Sequence, residues 1–136
     1  MFEGDGNMSS EEEILKSSRV IAIVGLSSKP ERPSYGVGDY LKEHGYKVIP
    51  VNPMEKEILG EVSYPDLKSI PEKVDVVDIF RRPEDVPPIV EEAIKIGAKA
   101  VWMQEGIINE AAAKRAEEGG LKAVMNKCMK KEHQKL

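Results

Sequence analysis

The sequence predicts a three-layer α/β fold, a mainly parallel five-stranded sheet with helices on both faces. Two observations predict it. Five short apolar runs alternate along the chain with segments of helical period, the pattern of parallel strands joined by crossover helices. Glycine, proline and polar residues then gather where the apolar runs end, and in such sheets the ligand crevice lies at the carboxyl ends of the strands.

Taken in order, residues 1–7 are glycine-rich and polar and read as frayed. Ser9 and Ser10 precede Glu12 and Glu13 at capping-box spacing, which predicts a short helix from about Glu11, carrying Ile14 and Leu15 and ending before Arg19. Residues 1–18 thus read as a tail and short helix on a single domain spanning 1–136. Val20–Val24 is the first strand. Residues 34–44 form a helix with Val37, Tyr40 and Leu41 on one face, Ser34 as its N-cap and Gly45 as its stop. Lys47–Val51 is the second strand, closed by Asn52 and Pro53. Residues 60–64 read as an irregular piece, and Asp66, Leu67 and Ile70 as one helical turn ended by Pro71.

The third main strand is 74–80, with Asp75 and Asp78 set among apolar residues. A helix follows over 83–96, its stripe made of Val86, Ile89, Val90, Ala93 and Ile94. Pro87 and Pro88 fall in its first turn, where a missing N–H costs little. Residues 100–104 are the fourth strand, and Trp102 on it reads as core. Asn109 caps a helix running to Glu118, the Gly119-Gly120 pair stops it, and 121–125 is the fifth strand. A polar tail over 126–136 has room for a last helical turn.

The bulk properties narrow the functional classes. A chain of 136 residues is one domain, long enough to bury a core without staples. A net charge of −4 weighs against a large nucleic-acid footprint. No apolar run approaches the roughly 20 residues that span a bilayer. Glu11, Glu12 and Glu13 stand where a secretory signal would be basic and then apolar. Cys128 is the only cysteine, which excludes an intrachain disulfide and a cysteine metal cage. The expectation is a cytoplasmic protein with neither nucleic-acid nor membrane partner. The high share of Glu and Lys, with few amide side chains, leans toward a heat-adapted source.

The strand exits carry the chemistry. Gly25-Leu26-Ser27-Ser28 ends the first strand, and a glycine followed by hydroxyls at a helix start suits close approach of backbone N–H groups to phosphate; an ordinary strand-to-helix turn is the alternative. Lys29 and Arg32 add positive charge, or else are solvated loop cations. The loop is not the dinucleotide fingerprint, because Ser27 and Ser28 replace its later glycines. Asn52 stands where NAD readers place an acid for the ribose hydroxyls. Both departures argue for another nucleotide-like ligand. Arg81 and Arg82 at the third exit suit bidentate phosphate contact, or salt bridges with Glu84 and Asp85. Gln104, Glu105 and Gly106 form the fourth exit, where Glu105 is a lone candidate base. Cys128 follows the fifth strand among Lys127, Lys130 and Lys131, a setting that favours thiolate. His44, beside Gly45, reads as a helix cap. No nucleophile–base–acid set and no metal spacing assemble from the sequence.

Five segments in this order resemble the family of small stand-alone CoA-binding domains: Ile21-Ala22-Ile23-Val24-Gly25-Leu26-Ser27, Val51-Asn52-Pro53, Val76-Val77-Asp78-Ile79-Phe80-Arg81, Trp102-Met103-Gln104-Glu105-Gly106-Ile107 and Met125-Asn126-Lys127-Cys128-Met129-Lys130. That family is similar to the N-terminal domain of the succinyl-CoA synthetase alpha subunit. The resemblance covers the chain from about Ile14 to its end. It implies a Rossmann-like fold that binds coenzyme A. Gly25, Ser27 and Ser28 would line the phosphate turn, and Lys29, Arg32, Ser34 and Tyr35 would flank the pyrophosphate and 3′-phosphate. Val51, Asn52 and Pro53 would border the adenosine. Phe80, Arg81 and Arg82 would meet the nucleotide and the start of the pantetheine arm, with Gln104, Glu105 and Gly106 near that arm. Neither His44 nor His133 matches the synthetase's phosphohistidine motif.

The expected function is therefore a module binding coenzyme A or an acyl-CoA, as carrier, sensor or partner subunit, with catalysis less favoured. The alternatives are an enzyme acting on a CoA thioester or CoA disulfide through Glu105 or Cys128, with Cys128 the candidate for thiol exchange, and an NAD-responsive regulatory domain.

Overall fold

Runs rich in valine and isoleucine are stiff at χ1 and fit a pleated surface buried on both sides. In the computed structural model, which describes residues 9–136, these runs pair side by side in parallel. They are β1 (Val20–Val24), β2 (Lys47–Val51), β5 (Val76–Ile79), β6 (Ala100–Met103) and β7 (Lys122–Val124). The sheet order is β2-β1-β5-β6-β7. Connections lead outward from β1 to β2, then back across β1 to β5 and onward. The reversal falls between β1 and β5, and a doubly wound, Rossmann-like sheet opens its crevice at that point. A two-stranded antiparallel hairpin, β3 (Glu57–Ile58) and β4 (Glu61–Val62), lies in the β2–β5 connection.

Helices cover both faces. The first face carries α2 (Pro33–Glu43), joined by α1 (Ser10–Ser17) and α5 (Met129–Gln134) from the two ends of the described chain. Ile21 and Ile23 of the sheet pack there with Leu15, Leu41 and Met129, and fully buried Trp102 lies among them. The Trp102 indole Nε1 donates to the Lys127 carbonyl at 2.8 Å, so its one polar atom is satisfied. The second face carries α3 (Val86–Lys95) and α4 (Glu110–Glu118), whose Val90, Ala93 and Ala116 bury Val77, Ile79 and Val101.

Most expected elements form, with corrections at their edges. Ser9 caps α1, its hydroxyl accepting from the Glu12 N–H at 3.1 Å, and Asn109 caps α4 in the same way through Ala112. Ser34 is not the cap of α2. Pro33 has its φ preset for a first helical turn, so the helix starts there, Arg32 takes the cap position without a side-chain bond, and Ser34 falls inside. The third main strand is shorter than 74–80, running Val76–Ile79, and just before it the Asp75 carboxylate accepts from the Arg19 and Val20 N–H groups. The helix expected over 83–96 begins as a 3-10 turn at Pro83–Asp85, and α3 starts only at Val86. The irregular piece expected over 60–64 holds β4 of the β3–β4 hairpin, which turns through Leu59 and Gly60, both at positive φ. The polar tail forms α5, anchored by buried Met129. The stretch read as frayed, 1–7, lies outside the described residues.

Candidate functional site

Gly25 follows β1 at φ +91°, and a Cβ there would sit 2.4 Å from the Phe80 carbonyl oxygen and 3.0 Å from Arg81 Cδ. Its N–H donates to the Val51 carbonyl at 2.9 Å. The exits of β1, β2 and β5 are thus drawn together at the strand reversal by the absence of one side chain. Beyond Gly25, buried Leu26 anchors the loop. The loop hydroxyls then turn inward: the Ser27 N–H donates to Ser34 Oγ at 3.0 Å and the Lys29 N–H to Ser27 Oγ at 3.0 Å. Two N–H groups of this turn are therefore satisfied by the loop itself, and the cations Lys29 and Arg32 are what it offers an anion. Gly25, Ser27, Lys29, Arg32, Ser34 and Phe80 line a cleft of about 360 Å³. Ser28 points elsewhere, its hydroxyl donating to Glu55 at 3.1 Å. Tyr35 is half-buried in the first turn of α2, outside that lining.

Two further clefts adjoin this one. Val51, Pro53, Arg81 and the acids Asp66 and Glu84 border one of about 360 Å³. Phe80, Arg81, Arg82, Asp85 and Ile107 border another of about 570 Å³. Phe80 and Arg81 lie where the clefts meet. Asn52 is a strap: its Nδ2 donates to the Leu26 carbonyl at 3.0 Å and its Oδ1 accepts from the Met54 N–H at 2.9 Å. Both ends of its side chain are used in tying the β1 exit to the β2 exit.

The two arginines differ. Arg82 donates from Nε to Asp85 Oδ2 at 3.1 Å and lies 3.8 Å from Glu84, while Arg81 Nε stands 3.9 Å from Asp85. The Arg82 guanidinium holds the Asp85 carboxyl below the usual carboxylate range. The salt-bridge alternative thus describes Arg82, and Arg81 is the looser cation, lying against Gly25.

At the β6 exit, Gln104 is 3% exposed and donates from Nε2 to Asp78 Oδ1 at 2.6 Å. Glu105 is exposed and paired with Lys131 at 3.1 Å. The Gly106 N–H donates to Asn126 Oδ1 at 2.7 Å. Cys128, half-buried at the N-cap of α5, packs against the apolar cluster of the first face and lines none of the three clefts. His44 Nδ1 hydrogen-bonds the Tyr40 carbonyl at 2.7 Å, and the Tyr40 hydroxyl meets His133 Nδ1 at 2.8 Å. Burial, together with His44, pushes His133 below its ordinary pKa. Both imidazoles gather at the C-terminal end of α2, away from the clefts.

Sequence reasoning gave Asp78 no role. It is fully buried, its Oδ2 has no partner among the described residues, and burial, opposed by hydrogen bonds from Gln104 and the Ile79 backbone, pushes its carboxyl up to about 7. The available signal was an acid inside an apolar strand with a glutamine ending another.

A family model described as a CoA binding domain matches residues 19–134. An uncharacterised Bacillus subtilis protein, YneT, is 40% identical over 121 residues, covering 89% of this chain and 90% of its own. The alpha subunit of the ADP-forming acetate–CoA ligase II of Pyrococcus furiosus is 36% identical over 102 residues, which are 74% of this chain but 21% of the subunit. A solved structure of a hypothetical protein from Pyrococcus horikoshii OT3 superposes with a TM-score of 0.90 at 46% identity, covering 100% of this chain and 96% of that one. No described helix is long and apolar enough to cross a membrane.

Proposed function

Because this chain belongs to the CoA-binding domain family, we propose that it binds coenzyme A or a CoA derivative across the β1/β5 crevice, as a carrier, sensor or partner module. The observation that carries this reading is the contact of Gly25 with Phe80 at the strand reversal, flanked by the three cations Lys29, Arg32 and Arg81. Coenzyme A brings a pyrophosphate, a 3′-phosphate, an adenosine and a long amide-containing arm. Lys29 and Arg32 suit the phosphates, one as a point charge and the other as a planar fork. Val51 and Pro53 offer apolar surface to the adenosine, and Asn52 holds the two loops that frame it. Phe80 and the Gln104-Glu105-Gly106 exit are left for the arm. Two acids at the strand exits are paired, Glu105 with Lys131 and Asp85 with Arg82, which supports binding over proton-transfer chemistry.

Calorimetry with CoA and NAD side by side tests the reading. Tighter binding of CoA is expected, because Ser27 and Ser28 replace the dinucleotide glycines and Asn52 replaces the ribose-binding acid. Equal or tighter NAD binding overturns it.

The arginines give a second, graded result. Arg81→Ala is expected to weaken CoA binding about 10- to 150-fold, the worth of a charge-assisted contact of roughly 1.5–3 kcal/mol. Arg82, 73% exposed and held by Asp85, should matter about fivefold or less. Dephospho-CoA locates the contact: if Arg81 reads the 3′-phosphate, its loss hardly changes dephospho-CoA affinity, whereas a pyrophosphate contact gives equal losses for both ligands. Unchanged CoA affinity in both variants assigns these arginines to the scaffold.

A further inference from the structure

Asp78 is the least explained side chain in the molecule. It lies on β5 in register with Ile23 of β1 and Trp102 of β6, at the centre of the sheet. One carboxyl oxygen takes the Gln104 amide, and the other is buried with no partner among the described residues. A buried polar atom left unpaired in this way costs free energy comparable to a lost hydrogen bond and calls for a partner or a role. Its position narrows the role. Side chains two residues apart on a strand share a face, so Phe80 stands over Asp78 toward the carboxyl edge. Phe80 is half-buried and lines two of the clefts around Gly25. Gln104 begins the β6 exit. The orphan oxygen thus sits one residue pair below the crevice, under a half-buried ring that packs against the first-face apolar cluster; neither Asp78 nor Gln104 lines a cleft, so the ring has to swing aside for a ligand to reach them.

Resting on the CoA-binding reading above, we propose that Asp78 and Gln104 form a polar subsite beneath Phe80 for a carbonyl oxygen on the ligand's tail, with the protonated Asp78 carboxyl as hydrogen-bond donor. A carboxylic acid offers one O–H donor, and a carbonyl is its neutral complement. The ionised acid offers only acceptors and repels the same carbonyl. Burial already favours the protonated form up to about pH 7. The other ionisable groups over this face hold other partners or lie elsewhere. Tyr40, His44 and His133 bond one another or the α2 backbone, Tyr46 donates to the Leu15 carbonyl, Cys128 sits at the N-cap position of α5 with no side-chain cap bond, and Glu105 pairs with Lys131. Two carbonyl sources share the required chemistry: the amides of the pantetheine arm and the thioester of an acyl-CoA.

The test is calorimetry of the intact protein with CoA, acetyl-CoA and adenosine 3′,5′-bisphosphate from pH 6 to 9. The bisphosphate has the ligand's 3′-phosphate but no arm, so it serves as the control for phosphate titration. CoA affinity is expected to fall relative to the bisphosphate by up to about tenfold per pH unit above 7, as one proton must be taken up. The same fall for CoA and acetyl-CoA assigns the subsite to an arm amide, and a fall for acetyl-CoA alone assigns it to the thioester. Asp78→Asn, which donates at every pH, should remove the extra pH dependence. CoA and acetyl-CoA affinities that both track the bisphosphate at all pH values overturn the subsite and leave the CoA reading standing. Failure of all three ligands to bind overturns the CoA reading itself.

Discussion

Gly25→Ala is expected to lower stability by about 3 kcal/mol or more and to reduce CoA affinity more than 100-fold in the fraction that remains folded. Two costs combine. At φ +91° a Cβ is strained whatever space surrounds it, and here the space is taken by the Phe80 carbonyl oxygen at 2.4 Å. That oxygen cannot give way as a flexible side chain would. The Phe80 N–H donates to the Val24 carbonyl at 2.9 Å, so moving Phe80 breaks the β1–β5 pairing at the point where the crevice opens. Arg81, whose Cδ lies 3.0 Å from the same position, moves with it. A drop in melting temperature on the order of 10 °C is the expected readout for a chain of this size. Gly36→Ala is the control: it lies on α2 with nothing within 4 Å of its Cβ position, and alanine in a helix interior is favoured by roughly 0.5–1 kcal/mol. If the Gly25 variant melts with wild type, the close approach at the strand reversal is not a constraint and the site loses its main support.

What the sequence made legible follows from range. Val20–Val24 and Lys47–Val51 match their predicted spans because β-branched runs are bounded by a glycine on one side and Asn52-Pro53 on the other. Both signals are local. The β3–β4 hairpin overlaps the irregular piece expected over 60–64 only in β4, because strands of two residues carry no period and Leu59 at positive φ has no sequence signature. The cap of α2 was misplaced because Ser34 and Pro33 both mark a helix start, and proline, with φ already set, begins it one residue earlier. At the rim, residue types were readable but partners were not. Spacing does not reveal that Asn52 straps Leu26, that Ser34 answers Ser27, or that Ser28 turns to Glu55. Those bonds are set by which loops the β2-β1-β5 order brings together. The Asp78–Gln104 pair joins residues 26 apart across adjacent strands, and it is visible only once β5 and β6 lie side by side.

Asp78→Asn is expected to be more stable than wild type at pH 8, by on the order of 4 kcal/mol beyond any difference seen near pH 4. The sign follows from linkage. The Asp78 carboxyl moves from 3.8 to about 7 on folding, so between those values the folded chain holds a proton that the unfolded chain has released. The stability from this group is full below the unfolded value and is lost as pH rises through about 7, at roughly 1.4 kcal/mol per pH unit over about three units. Above the folded value the loss is constant. Asparagine is neutral throughout, has nearly the same shape, and keeps an oxygen to accept from Gln104. Its own unpaired N–H costs the same at every pH, so only the pH-dependent part of the comparison reports ionisation. Denaturant unfolding of both proteins at pH 4.5, 6 and 8 measures it, because titrations elsewhere cancel in the difference. A gap that stays flat with pH, or one that shifts toward wild type above pH 6, would show that the acid is solvated or paired in the folded chain. A gap that widens from pH 4.5 to 8 means that wild type keeps, at neutral pH, an acid that a neutral isostere would improve upon. Such a cost at the edge of a binding crevice is what a residue kept for its ligand imposes on the fold.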